Sequence, residues 1–548
     1  MTSQKQLGMI LAFVASAVLL TVIQPPFGMA FLAWVAFVPF VIGSLANEKI
    51  WPTILTAYII GLLYWLGNLY WLVPVTIAGW IVLCLYMALY WPAIALSLRY
   101  CVQRKVPLWF SLAILVVGAE AAWGWLFSWR FLGHSQFRNI PLIQIADLFG
   151  VAGISFIIAM VNGFIAEIII DLKKRQVCKQ ANLVGIILTI FVITAALFYG
   201  RYRINEASRF IQAGPRIGVV QSNVPVKSGE DTEPAEVSFL NMLSDSRKCL
   251  LDAEPNLIIW PETMVEAILD DSYLKLIAED CTTKIFHNAL VRHSNEGANL
   301  LIGSFAGNAV MTGGRIEFKT NYNSAFLYEP NQAGPRQHYD KISLVPFGEY
   351  LPFKKTLPFM HKILMMLTPY DYDYTLDAGS EYTIFKMPVK NNIYRFGVMI
   401  CFEDIVPKIA RRFAVDKDGN KQADWLVTIS NDGWFVKKTG NNIKASTELG
   451  QRMAICVFRA IENRLSVIRC ANTGISCLID SSGNIKNDFP AGTLNKKAVQ
   501  RTGQSGWFAD KIFIDKRITI FSKNGQLLDI VCAICLILTI AVSIYKLR

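Results

Sequence analysis

The chain has 548 residues, 53% of them hydrophobic and only 17% charged, and its mean hydropathy is +0.38. Those values exclude an ordinary soluble protein. The formal net charge of +12 raises nucleic acid as a partner, but no basic–aromatic motif supports one.

The apolar residues are not evenly spread. Residues 8–24, 29–46, 51–75, 77–98, 106–127, 150–170, 183–200 and 527–545 each carry few or no charges. A bilayer core about 30 Å thick needs ~20 helical residues, so these runs predict about eight transmembrane helices. All but the last fall in a membrane domain of residues 1–200, and the last forms a C-terminal span over 527–548. The first run follows Lys5 without a small-x-small cleavage site, and a second starts directly after Pro25-Pro26-Phe27-Gly28. An uncleaved first helix is predicted rather than a signal peptide.

Lys5, Lys49, Arg99, Arg104, Lys105, Lys173, Lys174, Arg175, Lys179, Lys546 and Arg548 fall in alternate loops or at the two ends. The opposite short loops carry little beyond Arg130 and Arg138. By the positive-inside rule both termini are cytoplasmic, and residues 201–526 lie on the far side of the membrane. The positive net charge is thus partly a record of topology.

Beyond the charged segment Arg201–Ser208 the pattern changes. Strands are predicted at Arg216–Asn223, Asn256–Trp260, Asn299–Phe305, Asn323–Tyr328, Ile342–Val345, Tyr394–Cys401, Trp425–Ser430, Leu465–Ala471 and Ile475–Asp480, with helices near 237–252, 272–284 and 444–464. This order predicts an α/β domain over residues 201–526 with a large core. No internal repeat and no low-complexity tract interrupts it. The stretch Lys355–Tyr370 is apolar and bracketed by prolines; it reads either as a core helix or as a mobile arm dipping into the membrane. The 11 cysteines show no metal-type spacing. Cys249, Cys281, Cys401, Cys456, Cys470 and Cys477 fall in the external domain, where an oxidising compartment permits disulfides without assigning any.

Three residues point to chemistry. Cys401 closes the apolar strand Arg395–Cys401, before Glu403-Asp404-Ile-Val-Pro-Lys408, which reads as the start of a helix. The positive end of such a helix favours a thiolate, although a lone cysteine is more often a small buried hydrophobe. Glu262 follows the doubly buried run Leu257–Trp260, at the strand end where open α/β sheets place their sites. Lys341 lies in Tyr-Asp-Lys-Ile before another apolar strand. A carboxylate to take the thiol proton and an ammonium to hold an oxyanion complete an acyl-transfer set. Individually, Glu262 and Lys341 read equally as a surface pair or a helix cap.

In order and context, Glu262, Lys341 and Cys401 resemble the Glu–Lys–Cys triad of the carbon–nitrogen hydrolase (nitrilase) superfamily. Over nearly its full length the chain is similar to that superfamily's membrane-embedded branch, the apolipoprotein N-acyltransferase family. The segments carrying the likeness are Val220–Pro225, Tyr322-Asn-Ser324, Leu344–Pro352, Ile429–Phe435 and Arg469–Ser476, with Leu132-Gly-His-Ser-Gln136 and Phe149–Phe156 in the membrane part. The resemblance implies an αββα sandwich, two sheets faced by helices, on an α-helical membrane bundle of about eight transmembrane helices. It implies supporting roles for Glu349, Glu403 and Asn323. Phe402 and His134 stand where the family pattern has tyrosine, and no Lys-Trp pair follows Val220–Pro225.

The implied reaction is ping-pong acyl transfer in a bacterial inner membrane, with the catalytic domain on the periplasmic side. Cys401 takes the sn-1 acyl group of a phospholipid, phosphatidylethanolamine by the resemblance, as a thioester. The α-amine of an apolipoprotein's diacylglyceryl-cysteine then takes it as an amide. No cofactor, metal or nucleotide is expected, and the protein is expected to be a monomer. Drawing roughly fifteen methylenes into water costs on the order of 12 kcal/mol, which accounts for the membrane helices. The arm at 355–370 and the loop at 128–149 are the expected walls of a lipid-facing opening.

Alternatives remain open on the residues alone. A membrane-anchored amidase would keep the triad and use water as acceptor, though one anchor would suffice for it. A Cys–His enzyme would draw on one of five histidines, His338 being nearest to a motif. A transporter would use Glu120 and Glu167, which lie within apolar runs. A bundle-facing carboxylate with a polar neighbour explains them as well, and neither inverted halves nor paired broken helices are evident.

Overall fold

In a computed structural model the described residues are 2–47, 49–174, 180–224, 234–351, 354, 356–366, 375–439 and 442–545. Arg175, Lys179, Pro225, Pro352, Lys355, residues 367–370, Lys546 and Arg548 of the segments named above lie outside them. The chain divides into two compact units. One comprises Met1–Val73, Gly79–Ala207 and Thr519–Arg548; the other comprises Pro74–Ala78 and Ser208–Ile518.

The first unit is helical. Gln4–Val22, Ile50–Asn68, Ile77–Gln103, Val151–Lys173, Leu183–Arg209 and Leu527–Tyr545 are long and apolar enough to cross a membrane. The other two expected spans are shorter. Leu108–Gly124 has 17 residues, which is about 25 Å of helix against a core of about 30 Å. The run at 30–46 is broken into a 3-10 turn, Ala30–Trp34, and a helix, Val38–Ala46. Asn162 repairs the break, donating to the Ala33 carbonyl at 2.8 Å and accepting from the Phe37 N–H at 2.8 Å. Free backbone groups in an apolar medium need such partners.

Close helix contacts use small residues. A Cβ on Gly118 would lie 2.4 Å from the Cys532 carbonyl oxygen, so no larger residue fits between these helices. Glu120 and Glu167 both serve backbone donors. Glu120 accepts the Leu132 N–H at 2.5 Å, and Glu167 accepts the Leu108 N–H at 3.0 Å. Those contacts match the bundle-facing reading. The loop expected as a wall is buried from Ser128 to Phe137. Gln24 donates to the Phe131 carbonyl, and Arg130 donates to the Leu20 carbonyl and the Tyr64 hydroxyl, all within this unit.

The second unit holds two large sheets. The first orders its strands 491–492, 506–515, 211–221, 257–259, 299–306, 322–328 and 337–340. The second orders 477–479, 466–471, 425–430, 392–400 and 385–389. Each has parallel pairs at its centre and antiparallel strands outside. Helices Ala235–Ala253 and Thr282–Asn295 cover the first sheet, while Pro407–Ala414 and Glu448–Asn463 cover the second. The sheets face each other, with the Cys470 thiol 3.4 Å from both the Val220 and Ile259 carbonyls of the opposite sheet. This is the expected αββα sandwich.

One expected strand is absent. Residues 342–345 are irregular, because side chains take their amides out of any ladder. Glu403 accepts the Ile342 and Ser343 N–H groups, and Glu349 accepts that of Val345. Gly506–Asp515, not expected, pairs antiparallel with Ile211–Gln221, with a register shift between Ala213 and Arg216. Its Asp510, Lys511 and Asp515 broke the apolar pattern that marked the other strands. In the apolar segment after Leu351, Pro358–Met366 is helical with Leu357 and Phe359 exposed, so this part is not a core helix.

Candidate active site

Parallel central strands deliver their carboxyl ends to one edge of each sheet, and the expected residues stand there. Glu262 follows Leu257–Ile259, Lys341 follows Gln337–Asp340, and Cys401 follows Asn392–Ile400. Asn431 and Asn472 follow Trp425–Ser430 and Ser466–Ala471. Cys401 has φ +50° and Thr263 has φ +50°, a left-handed conformation costly for non-glycine residues and concentrated at functional sites. A Cβ on Gly303 would lie 2.5 Å from the Pro261 carbonyl oxygen, so glycine lets the Glu262 turn lie against its neighbouring strand.

Lys341 is fully buried. Its Nζ donates to Glu349 Oε1 at 2.7 Å and lies 3.5 Å from Glu262 Oε1. Asn323 Nδ2 donates to the same two oxygens, at 2.7 Å to Glu262 and 3.1 Å to Glu349. The other Glu262 oxygen accepts the Asn431 N–H at 2.7 Å. Burial works against the Lys341 ammonium, but the charges of Glu349, Glu262 and Cys401 outweigh it and raise its pKa above the usual lysine value.

Cys401 keeps part of its surface accessible. Burial, then the Glu262 charge, push its thiol up to about 12, while Arg452 and Lys341 pull the other way without prevailing. The thiolate-favouring helix expected after it is not there. Cys401 opens a five-residue 3-10 turn, Cys401–Ile405, and the α-helix starts only at Pro407. The Glu403 carboxylate occupies the head of that turn, accepting the Ile400 N–H at 2.8 Å.

Glu403 also accepts from the Tyr339 hydroxyl at 2.8 Å and from the N–H groups of Ile342 and Ser343 at 2.8 and 3.0 Å. It therefore ties the strand leading to Cys401 to the Tyr339 side chain before Lys341 and to the backbone just after it. Burial pushes its carboxyl up to about 7, against the pull of those donors. His338 faces Asp340 at 3.5 Å and stacks on Phe326, with no hydrogen bond to Cys401. Cys249, Cys281, Cys401, Cys456, Cys470 and Cys477 are all free thiols.

Behind Cys401 lies a buried ionic network that sequence reasoning missed. Arg452 donates to both Asp404 oxygens at 3.0 and 2.9 Å, and reaches Asp432 and Glu448 at 3.4 Å. Arg469 holds the second Asp432 oxygen at 2.9 Å. A Cβ on Gly474 would lie 1.9 Å from that oxygen, so only glycine leaves room for it. Three acids share two guanidinium groups here. Burial and the neighbouring Asp432 charge push the Glu448 carboxyl up to about 8. Asp432 and Arg469 lie in segments that carried the family likeness, which was the one available signal.

This sandwich, with a thiol, a carboxylate and an ammonium at its strand ends, has the architecture of a carbon–nitrogen hydrolase joined to a membrane unit. The family described as Carbon-nitrogen hydrolase matches residues 235–500, and the Apolipoprotein N-acyltransferase N-terminal domain matches residues 16–164. Over most of its length the chain is similar to proteins named apolipoprotein N-acyltransferase. That of Geobacter metallireducens is 32% identical, with 87% of this chain and 86% of that one covered. That of Chlorobaculum tepidum is 25% identical, with 91% and 89% covered. An amidase structure from Nesterenkonia sp. aligns at 11% identity and TM-score 0.35, covering 55% of this chain and 90% of that one. The chain belongs to the apolipoprotein N-acyltransferase family.

Proposed function

We propose that this protein N-acylates lipoproteins at the membrane, with Cys401 as nucleophile, Glu262 as general base and Lys341 as the oxyanion cation. The observation that carries this reading is the bonded cluster of Glu262, Lys341, Glu349 and Asn323, whose three charged members act on the Cys401 thiol. A raised thiol pKa means that Cys401 rests protonated, so its activation must occur during attack. Glu262 takes the Sγ proton as Sγ bonds to the ester carbonyl carbon of a phospholipid. The tetrahedral oxyanion forms near Lys341, where a fixed buried charge is worth far more than in water. The C–O bond then breaks, Glu262 returns the proton to the departing glycerol oxygen, and a lysophospholipid leaves.

In the second half the α-amine of a diacylglyceryl-cysteine attacks the thioester. Glu262 accepts an amine proton, the C–S bond breaks, the proton returns to Sγ, and an amide leaves. Each proton taken is given back, so no cofactor is required. On this reading the domains are a membrane part at 1–200, a periplasmic catalytic part at 201–526 and an anchoring helix at 527–548, with both termini cytoplasmic and the protein a monomer.

The test is discharge. Enzyme loaded with phospholipid in the absence of acceptor is expected to lose its acyl group on addition of a diacylated lipopeptide, with stoichiometric triacylated product. Loss to water at the same rate with or without lipopeptide would assign a hydrolase instead.

A further inference from the structure

Glu266 stands four residues beyond Glu262 on a segment fixed to the neighbouring strand. Ser304 Oγ donates to the Val265 and Ala267 carbonyls at 2.9 and 2.6 Å, and the Phe305 N–H donates to Ala267 at 3.1 Å. The backbone is thus pinned, yet the Glu266 side chain is exposed and makes no ion pair among the described residues. It lines a groove of about 540 Å³ together with Thr263, Ile268, Tyr273, Phe305 and Trp434, a volume within the range of small-molecule sites. Trp434 is 41% exposed, following Asp432-Gly433 in a short 3-10 turn. Asn431, whose N–H holds Glu262, and Thr263, its chain neighbour, also line the groove. The groove is therefore continuous with the site.

An unpaired carboxylate and an exposed indole in one groove suit a cation, which gains from the charge and from the ring face together. The reacting amine of the acceptor is a poor occupant, since a carboxylate holding it as ammonium would silence it as a nucleophile. The occupant must be a cation that stays charged throughout the reaction. We infer that this groove takes the primary ammonium of the donor phospholipid's head group, with Glu266 and Trp434 determining head-group preference. The inference rests on the acyl-transfer reading and deepens it.

The test is the rate of acyl-adduct formation on full-length enzyme in mixed micelles without acceptor. Two donors of identical acyl chains are compared, phosphatidylethanolamine and phosphatidylglycerol. The wild type is expected to load about two- to fivefold faster from the ethanolamine lipid, the size of one exposed charge contact. Glu266→Gln is expected to bring the ratio of the two rates to about one, and Trp434→Leu to lower it by a smaller factor. Equal slowing with both donors, an unaltered ratio, or an effect confined to discharge by a diacylated lipopeptide would each overturn the assignment. The last would give the groove to the acceptor. Absence of any adduct from either donor on the wild type would remove the acyl-transfer reading itself, and this one with it.

Discussion

The two units bury carboxylates for opposite purposes. In the helical unit Glu120 and Glu167 each meet a backbone N–H, and their job is to close a donor that an apolar medium would leave unsatisfied. In the sandwich, Glu262 and Glu349 share one ammonium, and Asp404, Asp432 and Glu448 gather round Arg452. There the negative charge itself is the point. Carboxylates thus close backbone donors in one unit and face cations in the other, Glu448 being the exception that keeps its proton. The isosteric change Glu→Gln separates the two uses, because it keeps an acceptor oxygen and removes the charge.

The largest effect is expected at Glu262. Glu262→Gln should slow adduct formation on Cys401 by about 10²- to 10⁴-fold, the usual range for a lost general base. A normal loading rate would remove Glu262 from that role. Arg452→Leu comes next, because it strands buried acids without their cation. A loss of about 3–5 kcal/mol in unfolding free energy is expected, read by denaturant titration in detergent. A stable variant would mean that the network relaxes or takes up protons more readily than its geometry implies. At Glu349, Glu349→Gln keeps an acceptor for Lys341 but removes half of its countercharge. A fall of about tenfold in loading rate is expected, with folding retained.

Glu448 sharpens the comparison through pH. Its folded carboxyl is held up at about 8 by burial and Asp432, above the ordinary unfolded value. The folded state therefore keeps a proton that the unfolded chain gives up. The stability this contributes is complete below the unfolded value and is lost as pH rises towards 8. Melting temperature should fall between pH 5 and pH 8, and Glu448→Gln should flatten that slope. An unchanged slope in the variant would place the titration elsewhere. The smallest effect is expected at Glu120, where Glu120→Gln still offers an oxygen to the Leu132 N–H. A change within about 1 kcal/mol is expected, whereas Glu120→Ala, which orphans that donor, should cost about 1–3 kcal/mol.

Much of this was legible in the sequence because the site sits where strands end. Leu257–Ile259 before Glu262 and Asn392–Ile400 before Cys401 are buried apolar runs, and such runs announce both the strand and its carboxyl end. The same pattern gave an α/β domain, whereas the αββα arrangement came only from the family resemblance. What escaped was whatever tertiary contacts turned against local pattern. Residues 342–345 read as a strand, but Glu403 and Glu349 claim their amides. The helix Glu448–Asn463 carries Glu448, Arg452, Arg459 and Glu462 along its length, a charge pattern that by itself does not announce burial. All four are buried, and two of them meet the Asp404–Asp432 network. Only the fold reveals that the acids and guanidinium groups come from separate segments. The thiolate expected at a helix end failed for a similar reason, since the turn after Cys401 is capped by its own Glu403.

The central claim is that Cys401 carries the acyl group, and peptide-level mass spectrometry of purified enzyme incubated with phospholipid alone tests it most directly. The account predicts one hydroxylamine-labile fatty acyl group on the peptide containing Cys401, absent from Cys401→Ala. An acyl group on any other cysteine, or none on a protein that still acylates a diacylated lipopeptide, would contradict it.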